Sequence, residues 1–260
     1  MKVVILCGGF GTRLGAETES KPKPMVEIGG RPILWHIMKS FAHHGFKDFI
    51  LCLGYKGEVI KNYFLNYHHL NNDFSVDLDS GNVQVLGRNH EDGWRVTLVD
   101  TGLHAMTGAR VKRIEKYIED EHFMLTYGDG VTDLNINDLV GFHKSREKTG
   151  TVTGVSPPSR YGDLGISGDK VVSFREKPDA QDAFISGGYF VFHRKFFNYL
   201  SDDDGCVLER EPIERLVEDG ELSVYAYRGF WQCMDTNRDY LYLNQLWERG
   251  QASWNVWEPR

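Results

Sequence analysis

The chain begins with an unbroken apolar, largely β-branched run at 3–7 that stops at Gly8-Gly9. Such a run, with no polar alternation, predicts a short strand buried on both faces. From Pro32 the pattern changes. Ile33, Leu34, Ile37, Met38 and Phe41 recur with the 3.6-residue helical period, and Gly45 is placed to cap the helix. Residues 47–53 predict a second strand that ends at Gly54. Val59, Ile60, Tyr63, Phe64 and Tyr67 then lie on one face of a second helix. Strands buried on both faces and alternating with helices imply a sheet covered on both sides.

The alternation lapses over 68–94. There Phe74, Val76 and Leu78 alternate with polar residues, Asp79-Ser80-Gly81-Asn82 offers a turn, and Val83 and Val85 alternate again, which predicts a hairpin insertion. It then resumes with a strand at 95–100, a helix at 111–118, and a strand at 123–127 running into Gly128-Asp129-Gly130. A helix at 136–145 and a strand at 151–155 follow. After Pro157-Pro158 come a hairpin around Ser167-Gly168-Asp169-Lys170, a strand at 184–193, a helix at 211–218, a strand at 222–227 and a helix at 236–249. The expected fold is α/β: a Rossmann-like, mostly parallel mixed sheet covered by helices, with a smaller α+β lobe towards the C-terminus. The chain reads as a single unit over 1–260, its first part covering about 1–156 and its second about 157–260.

Composition narrows the function classes. With 41% apolar and 26% charged residues, the chain can bury a core without disulfides. Cys7, Cys52, Cys206 and Cys233 are far apart and form no C-x-x-C pair, so neither zinc nor a disulfide framework is signalled, and a reducing cytoplasm is the expected setting. No run reaches the roughly 18 apolar residues of a membrane span, and the N-terminal apolar stretch is shorter than the roughly 7–15 residues of a signal-peptide core. The net charge of −7 argues against nucleic acid as a partner. Arg13, Lys21 and Lys23 nonetheless concentrate positive charge close to the glycines.

Gly8-Gly9-Phe10-Gly11-Thr12-Arg13 directly follows the first strand. Glycines there let backbone N–H groups approach phosphate oxygens, although a tight connection alone has the same composition. Two familiar fingerprints fail: Leu14 stands where G-x-G-x-x-G needs its last glycine, and no G-x-x-x-x-G-K-[ST] run exists. Lys21-Pro22-Lys23-Pro24-Met25 comes next, its prolines predicting a stiff extended arm that would hold a lysine in one geometry. Transfer at phosphorus depends mainly on in-line placement and charge neutralisation, which an arginine and a lysine supply. Asp129 follows a strand, where ligands of open α/β sheets collect. Asp235 could pair with it on a metal or could cap the helix that follows. His43-His44 and His68-His69 are discounted as metal sites, since adjacent helical residues diverge by about 100°. Trp247, Trp254 and Trp257 are expected to pack on the body of the protein or on a partner subunit.

Together, Leu6-Cys7-Gly8-Gly9-Phe10-Gly11-Thr12-Arg13-Leu14 and Lys21-Pro22-Lys23-Pro24-Met25 resemble the signature of the sugar nucleotidyltransferases. The resemblance implies Mg²⁺ and direct attack of a sugar phosphate oxygen on the α-phosphorus, with no covalent enzyme intermediate. It implies that Leu6, Cys7, Gly8, Gly9, Gly11 and Thr12 hold the triphosphate with Gly128, and that Arg13 and Lys23 are catalytic. It puts the metal on Asp129 and Asp235, and the sugar phosphate on Glu176, Lys177, Gly187 and Gly188. Gly54-Tyr55-Lys56-Gly57, 96–102, 106–110 and 229–236 are similar to the cytidylyltransferase branch. That branch implies CTP and glucose 1-phosphate as substrates, with Thr107 and Arg110 on the nucleotide. Ala105 stands where this pattern has a hydroxyl, and Ser186 where it has asparagine. Another sugar phosphate, another pyrimidine triphosphate or a catalytically silent nucleotide-binding subunit remain alternatives. A homo-oligomer is expected, with the hairpin at 74–85 serving subunit contacts or acting as a lid.

Overall fold

The computed structural model describes residues 1–87, 91–156, 163–167, 169–175 and 184–258. From the N-terminus, β1 (Val3–Leu6) is followed by a 3₁₀ segment at Thr12–Thr18 and a ribbon of β2 (Glu27–Ile28) and β3 (Arg31–Pro32). Next come α1 (Ile33–His43), β4 (Asp48–Leu53), α2 (Gly57–Leu65) and the single turn α3 (Tyr67–Leu70). The hairpin of β5 (Phe74–Val76) and β6 (Val83–Val85) precedes β7 (Arg95–Asp100). Then follow α4 (Thr107–Arg113), β8 (His122–Tyr127), β9 (Gly130–Thr132), α5 (Ile136–Arg146) and β10 (Gly150–Val155). The second half contributes β11 (Asp163–Ser167), β12 (Lys170–Arg175), β13 (Ile185–His193), α6 (Glu211–Glu218), β14 (Leu222–Tyr227), β15 (Trp231–Cys233) and α7 (Asn237–Glu248).

Seven strands form one sheet in the order β14-β10-β13-β8-β1-β4-β7. β8, β1, β4 and β7 run parallel, whereas β13 lies antiparallel between β10 and β8. Strands from the second half of the chain therefore complete the sheet begun by the first. Successive side chains of β1 face opposite sides. Val3 and Ile5 join Leu34, Ile37 and Phe41 of α1 in one core layer, while Val4 and Leu6 join Val111 and Ile114 in the other.

Local signals behave as expected at α1. Gly45 takes φ +94°, its N–H bonds the Ala42 carbonyl at 3.0 Å, and the Phe46 N–H bonds Phe41 at 3.0 Å, a Schellman stop. Trp254 is fully buried and donates Nε1–H to His36 Nδ1 at 3.4 Å. Burial pushes His36 down to about 4, so this histidine is an uncharged core residue. The C-terminal tryptophans accordingly pack on the body of the protein.

Two expectations need correction. The helix expected at 111–118 instead occupies Thr107–Arg113 and gives way to a 3₁₀ turn at Glu115–Tyr117. Its first turn was hidden because Gly108 is a poor helix former and the buried Arg110 breaks the apolar period. Lys23 is not on an extended arm. It opens a 3₁₀ turn, Lys23–Met25, after an extended Pro22.

Candidate active site at the ends of the strands

The segment after β1 has a particular polarity. The Gly8 carbonyl accepts from Arg110 Nη2 at 3.1 Å and from the Tyr55 N–H at 3.2 Å. The Gly11 carbonyl accepts from the Thr18 hydroxyl at 3.1 Å and from the Leu14 N–H at 3.2 Å. Among the described residues, no acceptor meets the N–H groups of Gly9, Phe10, Gly11 or Thr12. A loop with its carbonyls held and its amides unpaired is an anion cradle. Gly11 is required on two counts: φ is +66°, and a Cβ would come within 3.0 Å of the Lys23 Cβ.

The residues that carry these amides line a cavity of about 400 Å³. Every nucleotide-side residue picked out from the sequence lines it, from Leu6 at the end of β1 to Thr107, Arg110 and Gly128. Leu103 and His104, which were not foreseen, complete the opposite wall beside Met106. Arg110 takes an unexpected posture there. Its guanidinium is buried and donates to the carbonyls of Leu53, Gly102, Leu103 and Gly8 and to the Thr101 hydroxyl, at 2.8–3.3 Å. Burial lowers its pKa, yet an arginine keeps its charge. Arg110 thus ties the glycine loop to the ends of β4 and β7 and leaves a positive charge beneath the cavity floor.

The chemistry concentrates at one point. β9 and β15 pair antiparallel with Cys233 opposite Gly130, and the Met234 N–H bonds the Asp129 carbonyl at 2.8 Å. This ribbon carries Asp235 to Asp129. Lys23 Nζ lies between them, 2.6 Å from Asp129 Oδ2 and 2.5 Å from Asp235 Oδ1. Arg13 Nη1 reaches the other Asp235 oxygen at 3.2 Å from a largely exposed position. Burial alone would lower the Lys23 pKa, but its bonds and attraction to the two aspartates raise it overall. Burial works to raise Asp235, and Lys23 and Arg13 more than offset that, leaving its pKa lowered. Lys21 points elsewhere and pairs with Glu27 at 3.5 Å.

The competing role for Asp235 is settled by its neighbour. Thr236 is the N-cap of α7 and forms a capping box with Asp239, so Asp235 is free to face Lys23. The T-x-x-D spacing was present in the sequence and could have indicated this. Two carboxylates that both bond one ammonium are a hard-oxygen donor pair of the kind Mg²⁺ takes beside phosphate oxygens. Among the described residues, no group of three or more His, Cys, Asp or Glu side chains could hold a metal unaided.

A second cavity, about 230 Å³, adjoins the first and shares Arg13, Tyr127 and Asp129 with it. Gly187 and Gly188 of β13 line it with Trp231, Cys233 and Asp235. Gly188 has φ +74° and a Cβ there would strike the Tyr127 ring. Trp231 Nε1–H bonds the Gly187 carbonyl at 2.8 Å and the Tyr189 hydroxyl bonds the Gly130 carbonyl at 2.8 Å, fixing this wall. Tyr127 carried no sequence signal beyond its nearness to Asp129, and Trp231 none beyond its place in the stretch 229–236. Glu176 and Lys177 lie outside the described residues. A larger concavity of about 850 Å³ between Arg31, Tyr63 and Asp73 gathers none of the candidate site residues.

The family model described as Nucleotidyl transferase matches residues 2–249. The glucose-1-phosphate cytidylyltransferase of Salmonella typhi is 51% identical over 259 residues, covering 99% of this chain and 100% of the relative. A probable glucose-1-phosphate cytidylyltransferase of Bacillus subtilis (strain 168) is 44% identical over 257 residues, with 99% and 100% covered. The crystal structure of HddC from Yersinia pseudotuberculosis superposes with a TM-score of 0.70 at 24% identity, over 95% of this chain and 99% of that one, a likeness of fold. With a cradle of free amides, a Lys-Asp-Asp centre and a family match over nearly its whole length, this chain belongs to the nucleotidyl transferase family.

Proposed function

We propose that this protein transfers a cytidylyl group from CTP to α-D-glucose 1-phosphate, giving CDP-glucose and pyrophosphate. The observation that carries the reading is the meeting of two cavities at Arg13, Tyr127 and Asp129, with Lys23 on the first and Asp235 on the second, one lined by residues with unpaired amides and the other walled by paired glycines. Relatives that are 51% and 44% identical along their whole length supply the choice of nucleotide and sugar.

The first cavity takes the triphosphate on the amides of 9–12. Gly187 and Gly188 leave room for the sugar, and Glu176 and Lys177 contact it. An oxygen of the sugar phosphate attacks the α-phosphorus in line, the bond to the β-phosphate oxygen breaks, and pyrophosphate leaves. Lys23 and Arg13 neutralise charge that builds on the transferring group, and neither forms a bond to phosphorus. Asp129 and Asp235 would hold Mg²⁺, which would supply further charge neutralisation to the phosphate oxygens.

A panel of four nucleoside triphosphates against several hexose 1-phosphates, read by pyrophosphate release, tests this directly. CTP with glucose 1-phosphate should give the highest kcat/KM. Preference for another pair would reassign the substrates, and release from no pair would remove the activity. Excess chelator should abolish turnover, and undiminished turnover would remove the metal.

A further inference from the structure

The segment 202–209 lines neither cavity, yet it is bonded along its length to the start of α4. The Met106 N–H bonds the Asp204 carbonyl at 2.8 Å, and the N–H groups of Gly108 and Ala109 bond the Cys206 carbonyl at 3.0 and 3.2 Å. Arg113 Nη2 reaches Asp204 Oδ1 at 2.8 Å. Glu209 ends this contact with one carboxylate oxygen on each of two hydroxyls. Its Oε2 accepts from Thr107 at 2.7 Å, and its Oε1 accepts from Tyr127.

Those two hydroxyls belong to different walls. Thr107 lines the nucleotide-side cavity, whereas Tyr127 lines both cavities and its ring closes on Gly188 of the sugar side. An ionised carboxylate only accepts, so each hydroxyl must turn its single proton towards Glu209. Thr107 Oγ1 also accepts from the Leu208 N–H at 2.9 Å, so its bonds go to the protein and not outward. We propose that Glu209 is a positioning residue, and that by holding Thr107 and Tyr127 on one carboxylate it sets the spacing between the two substrate sites. The assignment rests on the transferase reading. Glu209 touches neither substrate and acts through the two residues that it holds.

Steady-state kinetics with each substrate varied in turn tests it. Glu209→Ala should raise KM for both CTP and glucose 1-phosphate by roughly threefold to tenfold, with a smaller change in kcat. Glu209→Gln, which keeps one acceptor and can donate to a rotated hydroxyl, should recover most of that loss. In double-mutant cycles, Thr107→Val should be non-additive with Glu209→Ala on the KM for CTP, and Tyr127→Phe on the KM for glucose 1-phosphate. Unchanged KM values in Glu209→Ala, full additivity in both cycles, or no recovery in Glu209→Gln would each overturn the assignment, since a residue that only braced the fold would move the melting temperature alone. No pyrophosphate release by the wild-type protein would instead be the failure of the transferase reading, and Glu209 would fall with it.

Discussion

Two stretches on facing sides of the nucleotide-side cavity look alike on paper, and the fold treats them in opposite ways. The loop 8–13 and the start of α4 both present glycine, threonine and arginine at the entry to helical structure, where N–H groups have no partner of their own. In the loop, the carbonyls are tied down from behind and the amides of 9–12 have no acceptor among the described residues. At α4, the amides of Gly108 and Ala109 are taken by the Cys206 carbonyl, and the arginine is turned inward onto five oxygens. One wall offers donors to a ligand, and the other gives its donors to the protein. A helix start therefore makes an anion site only where the remaining structure leaves it unmet.

The contrast can be broken at several strengths. The largest effect is expected for Lys23→Ala, which removes the cation at the junction of the two cavities. It should lower kcat by roughly 10²–10³-fold in a pyrophosphate-release assay. Unchanged turnover would take Lys23 out of the chemistry.

Arg110→Met comes next. It leaves five oxygens facing a thioether, and urea denaturation should report a loss of roughly 2–4 kcal/mol. KM for CTP should rise about tenfold as the glycine loop loosens. A stable variant with ordinary KM would mean that the cradle stands without support from below.

Gly9→Ala is subtler. A Cβ at Gly9 meets nothing within 4 Å, so stability should be unaffected, whereas a phosphate resting on the loop would meet the added methyl. An increase in KM for CTP of roughly fivefold, with the same melting temperature, is the expected outcome. No change would move the phosphates away from Gly9.

The smallest and most direct readout is amide hydrogen exchange. Amides at 9–12 should exchange quickly and become protected when CTP is added. Amides at 108–109 should be protected with or without nucleotide. Equal protection by CTP on both walls would dissolve the contrast.

Much of the fold was legible because its signals are local. The run at 3–7, the periodic face from Ile33 to Phe41 and the capping Gly45 each report a short-range preference, and all three appear where expected. The hairpin at 74–85 was equally clear, since alternation around a turn needs no distant partner. The order of strands was not legible. β13 enters antiparallel between β8 and β10, a pairing across more than sixty positions from β8 that is fixed by how the two core layers close. The shift of α4 escaped for a related reason, because a buried arginine reads as a surface residue until its acceptors are known.

The sequence by itself determined the alternating α/β frame, the placement of a glycine turn at the end of the first strand, and the residue types needed for phosphate chemistry. Only the tertiary structure decided how they are used. Lys23 and Asp235 are 212 positions apart and meet because the β9–β15 ribbon carries Asp235 to Asp129, which Lys23 also bonds. Thr236, and not Asp235, caps α7, which leaves the aspartate to the site. Arg110 became the strut under the loop because Leu53, Thr101 and Gly8 converge on it from separate strand ends. Propensity and periodicity are written within a few residues of one another, whereas the availability of a donor depends on every group that the packed chain brings within reach.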